Sequence, residues 1–243
     1  MQEGQGPLFH ASLNDFLKRR SSILCVQIDI NTYCYESRLI GMVLTTFGPS
    51  HASDDQPILS TRPLRSNPQL LQLGSNQMIP LLPNSLWVVK KGVVKLTADT
   101  EDGDCLLLGL VGSEEVFGAS LTDVETFTAT TLSQCELTCL SLDDIASSTD
   151  LTLLMMRAIS SRLRQSEALL SIVGQRRVED RVRCFLELVA NDHGIVTPHG
   201  IHINLRLTHQ DTANAVSSKR VTVTRVLSCL KKKGWLQSSA QRH

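Results

Sequence analysis

The sequence of 243 residues has no uninterrupted apolar run of about 18 residues, the length that a membrane-spanning helix needs. Its start, MQEGQGPLFH, lacks the positive region and apolar stretch of a secretory signal peptide. The nucleophile elbow, the P-loop and the H-E-x-x-H zinc motif are also missing. These absences predict a cytoplasmic protein that has no membrane segment and is not an enzyme.

Cysteine occurs seven times, but never as a C-x-x-C pair. Cys135 and Cys139 lie in a segment with the pattern of a strand and share one face of it. Two thiols without a second pair are a weak zinc signal, and an iron–sulfur cluster needs about four. We therefore expect no metal, and we interpret the cysteines as free, mostly buried thiols in a reducing compartment.

Each part of the chain is poor in charge of one sign. Residues 1–156 contain 9 Lys and Arg against 18 Asp and Glu, whereas residues 157–243 contain 15 against 6. This division predicts two regions with different partners, the basic one facing a polyanion. The alternative is a solvated surface whose charges happen to segregate. Hydrophobic residues make up 42% and charged residues 20%, which excludes a disordered chain, a collagen and a coiled-coil rod.

Residues 1–75 contain no chemical motif, and we interpret them as an irregular segment of unknown role. Two apolar stretches in it, Ser22–Ile30 and Leu39–Phe47, are candidates for strands. The prolines between residues 49 and 68 predict a loop or linker. Residues 76–146 instead alternate short apolar runs with turn signals such as Glu101–Asp104. That pattern predicts an antiparallel sandwich or barrel.

Residues 147–174 change to a helical period. Within Leu151–Val173, apolar or small residues recur at alternating gaps of three and four, which defines a heptad seam. The seam consists of Met156, Ile159, Leu163, Ser166, Leu170 and Val173. It predicts pairing with an identical helix, and the alternative is a helix packed on its own barrel. In a parallel pair, Arg162 at a g position reaches Glu167 at the facing e position.

Residues 175–243 end in two short helices. The first helix, from about His209 to Val216, follows Thr208, which is a favourable N-cap. A turn at Ser217–Ser218 separates it from a second helix, from about Lys219 to Lys232, which Gly234 ends. This arrangement is a helix-turn-helix.

The second helix has one apolar face and one basic face. The apolar face consists of Val223, Val226, Leu227 and Leu230, and the opposite face of Lys219, Arg220, Thr222 and Arg225. Arginine near the start of such a helix can bind guanine O6 and N7 in the major groove. The run Lys231–Lys233 adds attraction to phosphates. Double-stranded DNA is therefore the expected partner.

Residues 208–211 read Thr-x-Gln-Asp, and residues 218–225 read Ser-x-Arg-x-Thr-Val-x-Arg. Both motifs resemble the DNA-binding signature of the CRP/FNR superfamily of bacterial regulators. RVTVTRVL and LMMRAISSRLRQSEALL are similar in particular to its cyanobacterial nitrogen-control members. The resemblance implies an α+β fold: a β jelly roll of the cyclic-nucleotide-binding type, a long dimerisation helix and a C-terminal winged helix-turn-helix. It also implies a homodimer through helix 151–173, a near-palindromic operator and RNA polymerase as a further partner.

The resemblance assigns roles to single residues of the helix-turn-helix. Arg220, Val221 and Arg225 correspond to the residues that read bases. Thr208, Gln210, Ser218, Lys219 and Thr222 correspond to phosphate contacts. One departure is at the C-terminus, where the family has a wing hairpin. Only Gln237–His243 follow Leu236, so the wing is expected to be truncated.

The effector motif departs from the cyclic-nucleotide binders of the family. They carry Phe-Gly-Glu, whereas the corresponding residues are Phe117, Gly118 and Ala119. They also carry an arginine for the cyclic phosphate, and no Arg occurs between residues 96 and 156. A buried phosphate without that cation is poorly compensated, so cyclic AMP is not expected.

2-Oxoglutarate, which the nitrogen-control members bind, is a candidate effector, although only part of its binding site is matched in this sequence. The helix Arg and Glu of that site fall on Arg162 and Glu167, but its barrel Arg falls near Glu125. An acidic residue there would repel a dicarboxylate. The alternative role of Arg162 and Glu167 is the ion pair between two helices.

Two functions remain open on these residues. The first is a homodimeric, sequence-specific transcription regulator, which the intact basic face of the second helix favours. The second is a degenerate sensor module that binds a metabolite or a protein partner without specific DNA binding. The short C-terminus and the altered effector motif favour this second function.

Overall fold

The computed structural model describes residues 23–28, 69–198 and 200–238. The strand predicted at Leu39–Phe47 and the loop predicted at 49–68 lie outside these residues. None of the helices in the described ranges is long and apolar enough to cross a membrane.

The strands and helices follow in this order. The strands are β1 (Ile23–Ile28), β2 (Gln69–Leu73), β3 (Ser85–Lys91), β4 (Val94–Asp99), β5 (Cys105–Val111), β6 (Val116–Phe117), β7 (Phe127–Thr131), β8 (Cys135–Ser141), β9 (Gly194–Thr197), β10 (Gly200–Thr208) and β11 (Leu236–Ser238). The helices are α1 (Leu142–Ala146), α2 (Thr149–Val173), α3 (Val178–His193), α4 (His209–Ala215) and α5 (Arg220–Lys232).

Strands β2 to β8 form the predicted antiparallel barrel. One sheet has the order β2-β8-β3-β6 and the other the order β5-β4-β7. Side chains that alternate along these strands meet between the sheets, where Trp87, Phe117 and Leu137 are almost fully buried. Cys135 and Cys139 belong to the same core as free thiols. Burial raises the pKa of both thiols.

The barrel begins earlier in the chain than the predicted boundary at residue 76. Strand β2 pairs along β8, with Leu71 opposite Leu137. It is a short edge strand whose place is set by backbone hydrogen bonds to β8, so its own five residues carry little signal. The segment 1–75 is therefore not wholly irregular. The candidate strand Ser22–Ile30 is also confirmed in part, as β1.

Helix α2 uses two different faces. Ser148 caps its start by accepting a hydrogen bond from the Leu151 amide. The face with Met155, Ala158 and Leu169 is buried against the protein itself. The predicted heptad seam lies on the other face, where Met156 is 61% exposed and Leu170 is 74% exposed. The helix thus packs on its own barrel while the seam remains uncovered.

The C-terminal domain consists of α3, α4, α5 and one four-stranded sheet of order β11-β1-β10-β9. Its core contains Phe185, Leu186, Leu227 and Trp235. That core is continuous with side chains of the barrel and of α2, namely Leu107, Leu110, Leu169 and Ile172. The barrel and the helix-turn-helix therefore share one apolar core, and displacement of either one disturbs the packing of the other.

The N-terminal strand β1 lies inside the C-terminal sheet, antiparallel to both β10 and β11. No role was predicted for this segment. Its position depends on backbone pairing with strands at the opposite end of the chain, and such pairing leaves no local pattern in the sequence. The strand β11 follows α5 after three residues, and no second C-terminal strand follows it within the described residues.

Candidate nucleic-acid interface and effector cavity

The first helix of the motif, α4, begins with the predicted cap. The Thr208 hydroxyl accepts a hydrogen bond from the Asp211 amide at 3.0 Å. The Asp211 carboxylate in turn accepts from the Thr208 amide at 2.9 Å. This reciprocal capping box satisfies amides that the first turn of a helix leaves without partners. It fixes where the chain enters the helix-turn-helix.

The turn between the helices also follows the prediction. Ser217 has a φ of 47°, and the Ser218 amide donates to the Ala213 carbonyl at 3.0 Å. Lys219 is the N-cap of α5 and Arg220 its first helical residue, one position later than predicted. At the other end Gly234 has a φ of 76°, which glycine adopts without strain.

Helix α5 presents the predicted face to solvent. Val223, Leu227 and Leu230 are buried, and the predicted base readers Arg220, Val221 and Arg225 are all exposed. An apolar side chain such as Val221, exposed by 62%, is costly to leave in water and can contact a thymine methyl group. Of the predicted phosphate contacts, Gln210 and Lys219 are exposed, whereas Thr208, Ser218 and Thr222 are half-buried.

Charge on this face is not neutralised by ion pairs within the part of the chain that the structure describes. No carboxylate in the described ranges forms an ion pair with Lys219, Arg220 or Arg225. Lys233 differs from the rest of the basic run, because its ammonium lies 2.7 Å from the Glu179 carboxylate on α3. Lys233 therefore ties the end of α5 to α3, and the free cations remain available for an anion.

His209 is a residue of the interface that the sequence predicts to be an exposed neighbour of phosphate, but it is half-buried. Its Nδ1 lies 2.9 Å from the Thr224 hydroxyl, so the imidazole links α4 to α5. Burial lowers the pKa of His209, and the positive charges of Lys231 and Arg220 lower it further. The contact joins residues in two different helices, so no local pattern predicts it. The one sequence signal is that His209 directly follows the N-cap Thr208.

This position of His209 predicts a pH dependence of DNA binding. Phosphates beside Lys231 and Arg220 would offset their charge, so the pKa of His209 should rise when DNA binds. Proton uptake follows, and affinity should increase as the pH falls from about 7 to 5.5, by at most about tenfold per unit. The measurement is DNA affinity against pH for the unmodified chain and for His209→Gln. An identical pH slope in both proteins would contradict the assignment.

A cavity of about 510 Å³ lies between the barrel and α2. Apolar side chains dominate its lining, among them Phe127 and two residues of the exposed seam of α2, Leu163 and Leu170. The predicted effector residues Phe117, Gly118 and Arg162 line this cavity, whereas Ala119 and Glu167 do not. Arg162 is the only charged residue among those that line it. The predicted site is thus brought together in part.

Arg162 lies at the centre of a polar junction. Its guanidinium packs against Gly109, where an added Cβ would clash with it, and donates to Gln165 at 2.5 Å. Burial lowers the pKa of Arg162, against the opposing effect of the Glu115 and Asp192 charges. None of the carboxylates that the structure describes is within ion-pair distance of it. A desolvated cation of this kind favours a bound anion.

Gln165 connects this junction to the DNA-binding domain, a role that the sequence did not indicate. Its side chain amide bonds to both backbone groups of Leu110 on β5, each at 2.9 Å. It also donates to the Asp192 carboxylate near the end of α3 at 2.9 Å. Burial raises the pKa of Asp192 and lowers that of the adjacent His193. One amide therefore joins barrel, long helix and α3.

Helix α4 also touches the barrel directly. The Lys95 ammonium on β4 lies 2.5 Å from the Asp211 carboxylate, the same group that completes the capping box. Ala215, the last residue of α4, lines the cavity. A ligand that fills the cavity would therefore contact α4 of the helix-turn-helix.

Comparison with known proteins agrees with this architecture. Residues 82–149 match the model of the cyclic nucleotide-binding domain, and residues 180–243 match that of the Crp-like helix-turn-helix domain. The global nitrogen regulator of Synechocystis is 30% identical over 201 residues, which cover 73% of this chain and 88% of that protein. The regulatory protein CysR of Synechococcus elongatus is 31% identical, over 72% of this chain and 82% of its own length.

Solved structures share the fold at lower identity. A CRP-family transcriptional regulator from Thermus thermophilus superposes with a TM-score of 0.60 at 19% identity, covering 70% of this chain and 88% of its own. FixK2 from Bradyrhizobium japonicum superposes with a TM-score of 0.61 at 17% identity, covering 73% and 91%. With both domain models matched in order and near-full coverage of relatives at about 30% identity, the chain belongs to the CRP/FNR superfamily of DNA-binding transcription regulators.

Proposed function

We propose that this regulator works as a homodimer that places two α5 helices in successive major grooves, about 34 Å apart, of a near-palindromic operator. The observation that carries the proposal is the exposed basic face of α5, whose Lys219, Arg220 and Arg225 form no ion pair with any described residue. The capping box of α4 and the contact between His209 and Thr224 hold that face in position. The protein then acts by binding, with no reaction of its own.

The uncovered seam of α2 supports the dimer. Met156, Leu163 and Leu170 are more than half exposed, although they are large and apolar. They follow the spacing at which two parallel helices interlock. A second copy of the helix would remove this stripe from water, which is favourable for apolar surface.

Within the dimer we assign two kinds of DNA contact. Arg220, Val221 and Arg225 would read base edges, with an arginine bidentate to guanine. Thr208, Gln210, Ser218, Lys219 and Thr222 would bind phosphates through hydroxyl, amide and ammonium groups and through the helix N-termini. RNA polymerase is the expected further partner of the operator-bound dimer.

Selection of binding sites from a random duplex library tests this function. The unmodified chain is used at about 150 mM salt, where attraction to arbitrary DNA is weak. An enriched two-fold symmetric sequence is the expected result. A folded dimer that enriches no sequence, alone and in cell extract, would favour a sensor module without specific DNA binding.

For the effector we infer a monoanion with an apolar body. Arg162 offers one cation, and the remaining lining of the cavity is mostly apolar. 2-Oxoglutarate carries two carboxylates, and the barrel arginine that the resemblance implies for the second falls near Glu125, which is exposed and acidic. Cyclic AMP would bury a phosphate and polar ribose hydroxyls against one cation, Arg162, and the hydroxyls of Thr122 and Ser166. We therefore rank a medium-chain monocarboxylate above 2-oxoglutarate and cyclic AMP.

Replacing Gly109 by Ala should weaken this ligand. The added methyl group displaces the Arg162 guanidinium, and a lost charge-assisted contact is worth about 1.5–3 kcal/mol, so affinity should fall about 10- to 100-fold. Calorimetry with octanoate and with 2-oxoglutarate measures the change. The matched control is Gly74→Ala, where an added Cβ meets only ordinary contacts. Equal affinity of both variants for octanoate would contradict the inference.

A further inference from the structure

The sheet of the DNA-binding domain contains a strand from the far end of the chain. Strands β10 and β11 do not pair with each other, because β1 lies between them. Gln27 of β1 is opposite His202 on one side and Gln237 on the other. β1 is therefore a central strand of this sheet and not an addition to its edge.

We propose that the facing edges of β10 and β11 form a strand-acceptor site for residues 23–28 of the same chain, and that specific DNA binding requires this site to be filled. The proposal rests on the DNA-binding function of α4 and α5. It makes the DNA-binding domain discontinuous in sequence. β1 then supplies the strand that pairs with β11.

The strand reaches both ends of the helix-turn-helix. At one end Ile23 is opposite Thr208, the N-cap of α4. At the other end Ile28 is opposite Leu236, which follows the turn that ends α5. The entry to the first helix and the exit from the second are therefore held by one strand. Loss of that strand would free both positions at once.

Backbone hydrogen bonding explains why the site needs an occupant. Among the described residues β11 has no partner strand other than β1, and β10 would keep only β9. Ile203, Leu205 and Leu207 of β10 and the adjoining Leu236 are buried, so water reaches this part of the sheet poorly. Unpaired amides and carbonyls beside a core are unfavourable. The site therefore selects an extended segment with free hydrogen-bonding groups along both edges.

The test uses two variants of the full chain, Val26→Pro and Val26→Thr. Val26 is opposite Ile203 on β10 and Ser238 on β11. Proline removes the amide hydrogen that a central strand donates, whereas threonine keeps it and favours strands. We expect Val26→Pro to accelerate hydrogen exchange in residues 200–208 and to lower operator affinity at least about tenfold. Val26→Thr should change neither.

A disulfide crosslink tests the position of β1 independently, in a variant that keeps every backbone amide hydrogen of the strand. Gln27→Cys with Gln237→Cys places two thiols on neighbouring strands. On oxidation, peptide mapping should find the 27–237 disulfide within one chain, with operator affinity retained. This result decides the placement of β1 if the proline variant unfolds throughout.

The outcomes separate the strand from the function. Unchanged exchange at residues 200–208 in Val26→Pro, or no 27–237 disulfide, would overturn the placement of β1. If Val26→Pro exchanges faster at residues 200–208 but binds the operator as tightly as Val26→Thr does, then β1 is not required for DNA binding. An unmodified chain that selects no operator would instead refute the proposed function, while exchange and crosslinking still report on the strand.

Discussion

Replacing Met156 by Glu is expected to dissociate the dimer and to lower operator affinity by more than about 100-fold, since a monomer loses the coupled second half-site. Met156 is an a position of the seam, so each helix would bring a carboxylate against its copy. The side chain is 61% exposed and does not line the cavity, so the protomer itself should remain folded. Analytical ultracentrifugation and operator titration measure the two effects.

Two further variants control for a general effect of the substitution. Val196→Glu introduces the same charge at a site on β9 that is 76% exposed and away from the seam. It should remain dimeric and bind the operator normally. Met156→Leu keeps the seam apolar and should do the same. A dimeric Met156→Glu with full operator affinity would show that α2 is not the dimer interface.

Replacing Arg225 by Ala is expected to cost about 1–3 kcal/mol on the selected operator and to relax its sequence preference at one position. Arg225 is exposed on α5 and has no ion-pair partner among the described residues, so the change removes no ion pair that they form. The affected position is identified by repeating the site selection with the variant.

Lys232 is the matched control for Arg225, because it is an exposed cation near the end of the same helix. Lys232→Ala should weaken operator and random DNA almost equally and reduce the salt slope by about one. Arg225→Ala should instead lower the affinity for the operator more than the affinity for random DNA. Equal losses on both DNAs for both variants would refute a base-reading role for Arg225.

The cavity and the DNA-binding helices are connected by direct contacts. Gln165 joins the Arg162 guanidinium to Asp192 of α3, and Lys95 of the barrel pairs with Asp211 in the cap of α4. Ala215 of α4 lines the cavity itself. A ligand that moves Arg162 therefore acts on α3 through one amide and on α4 through packing. An anion at Arg162 can change DNA affinity only to the extent that its own affinity differs between the DNA-bound and the DNA-free protein.

Local features of the sequence determined the helix-turn-helix. The Thr208 cap, the turn at Ser217 and the glycine at 234 act within a few residues of their own position, so their effect can be read from the chain directly. The helical period placed the seam of α2 on one face, and the alternation of apolar runs and turns indicated the barrel. The exposed arginines of α5 follow from that same period.

Only the tertiary structure decided which distant segments meet. The sequence treated residues 1–75 as one irregular segment, but β2 closes an edge of the barrel and β1 completes the DNA-binding sheet. Likewise, Phe117 and Arg162 reach the cavity, whereas Glu167, five positions along the helix, does not. Strand pairing and cavity lining depend on backbone hydrogen bonds and packing between remote residues, and neither leaves a period or a spacing in the sequence.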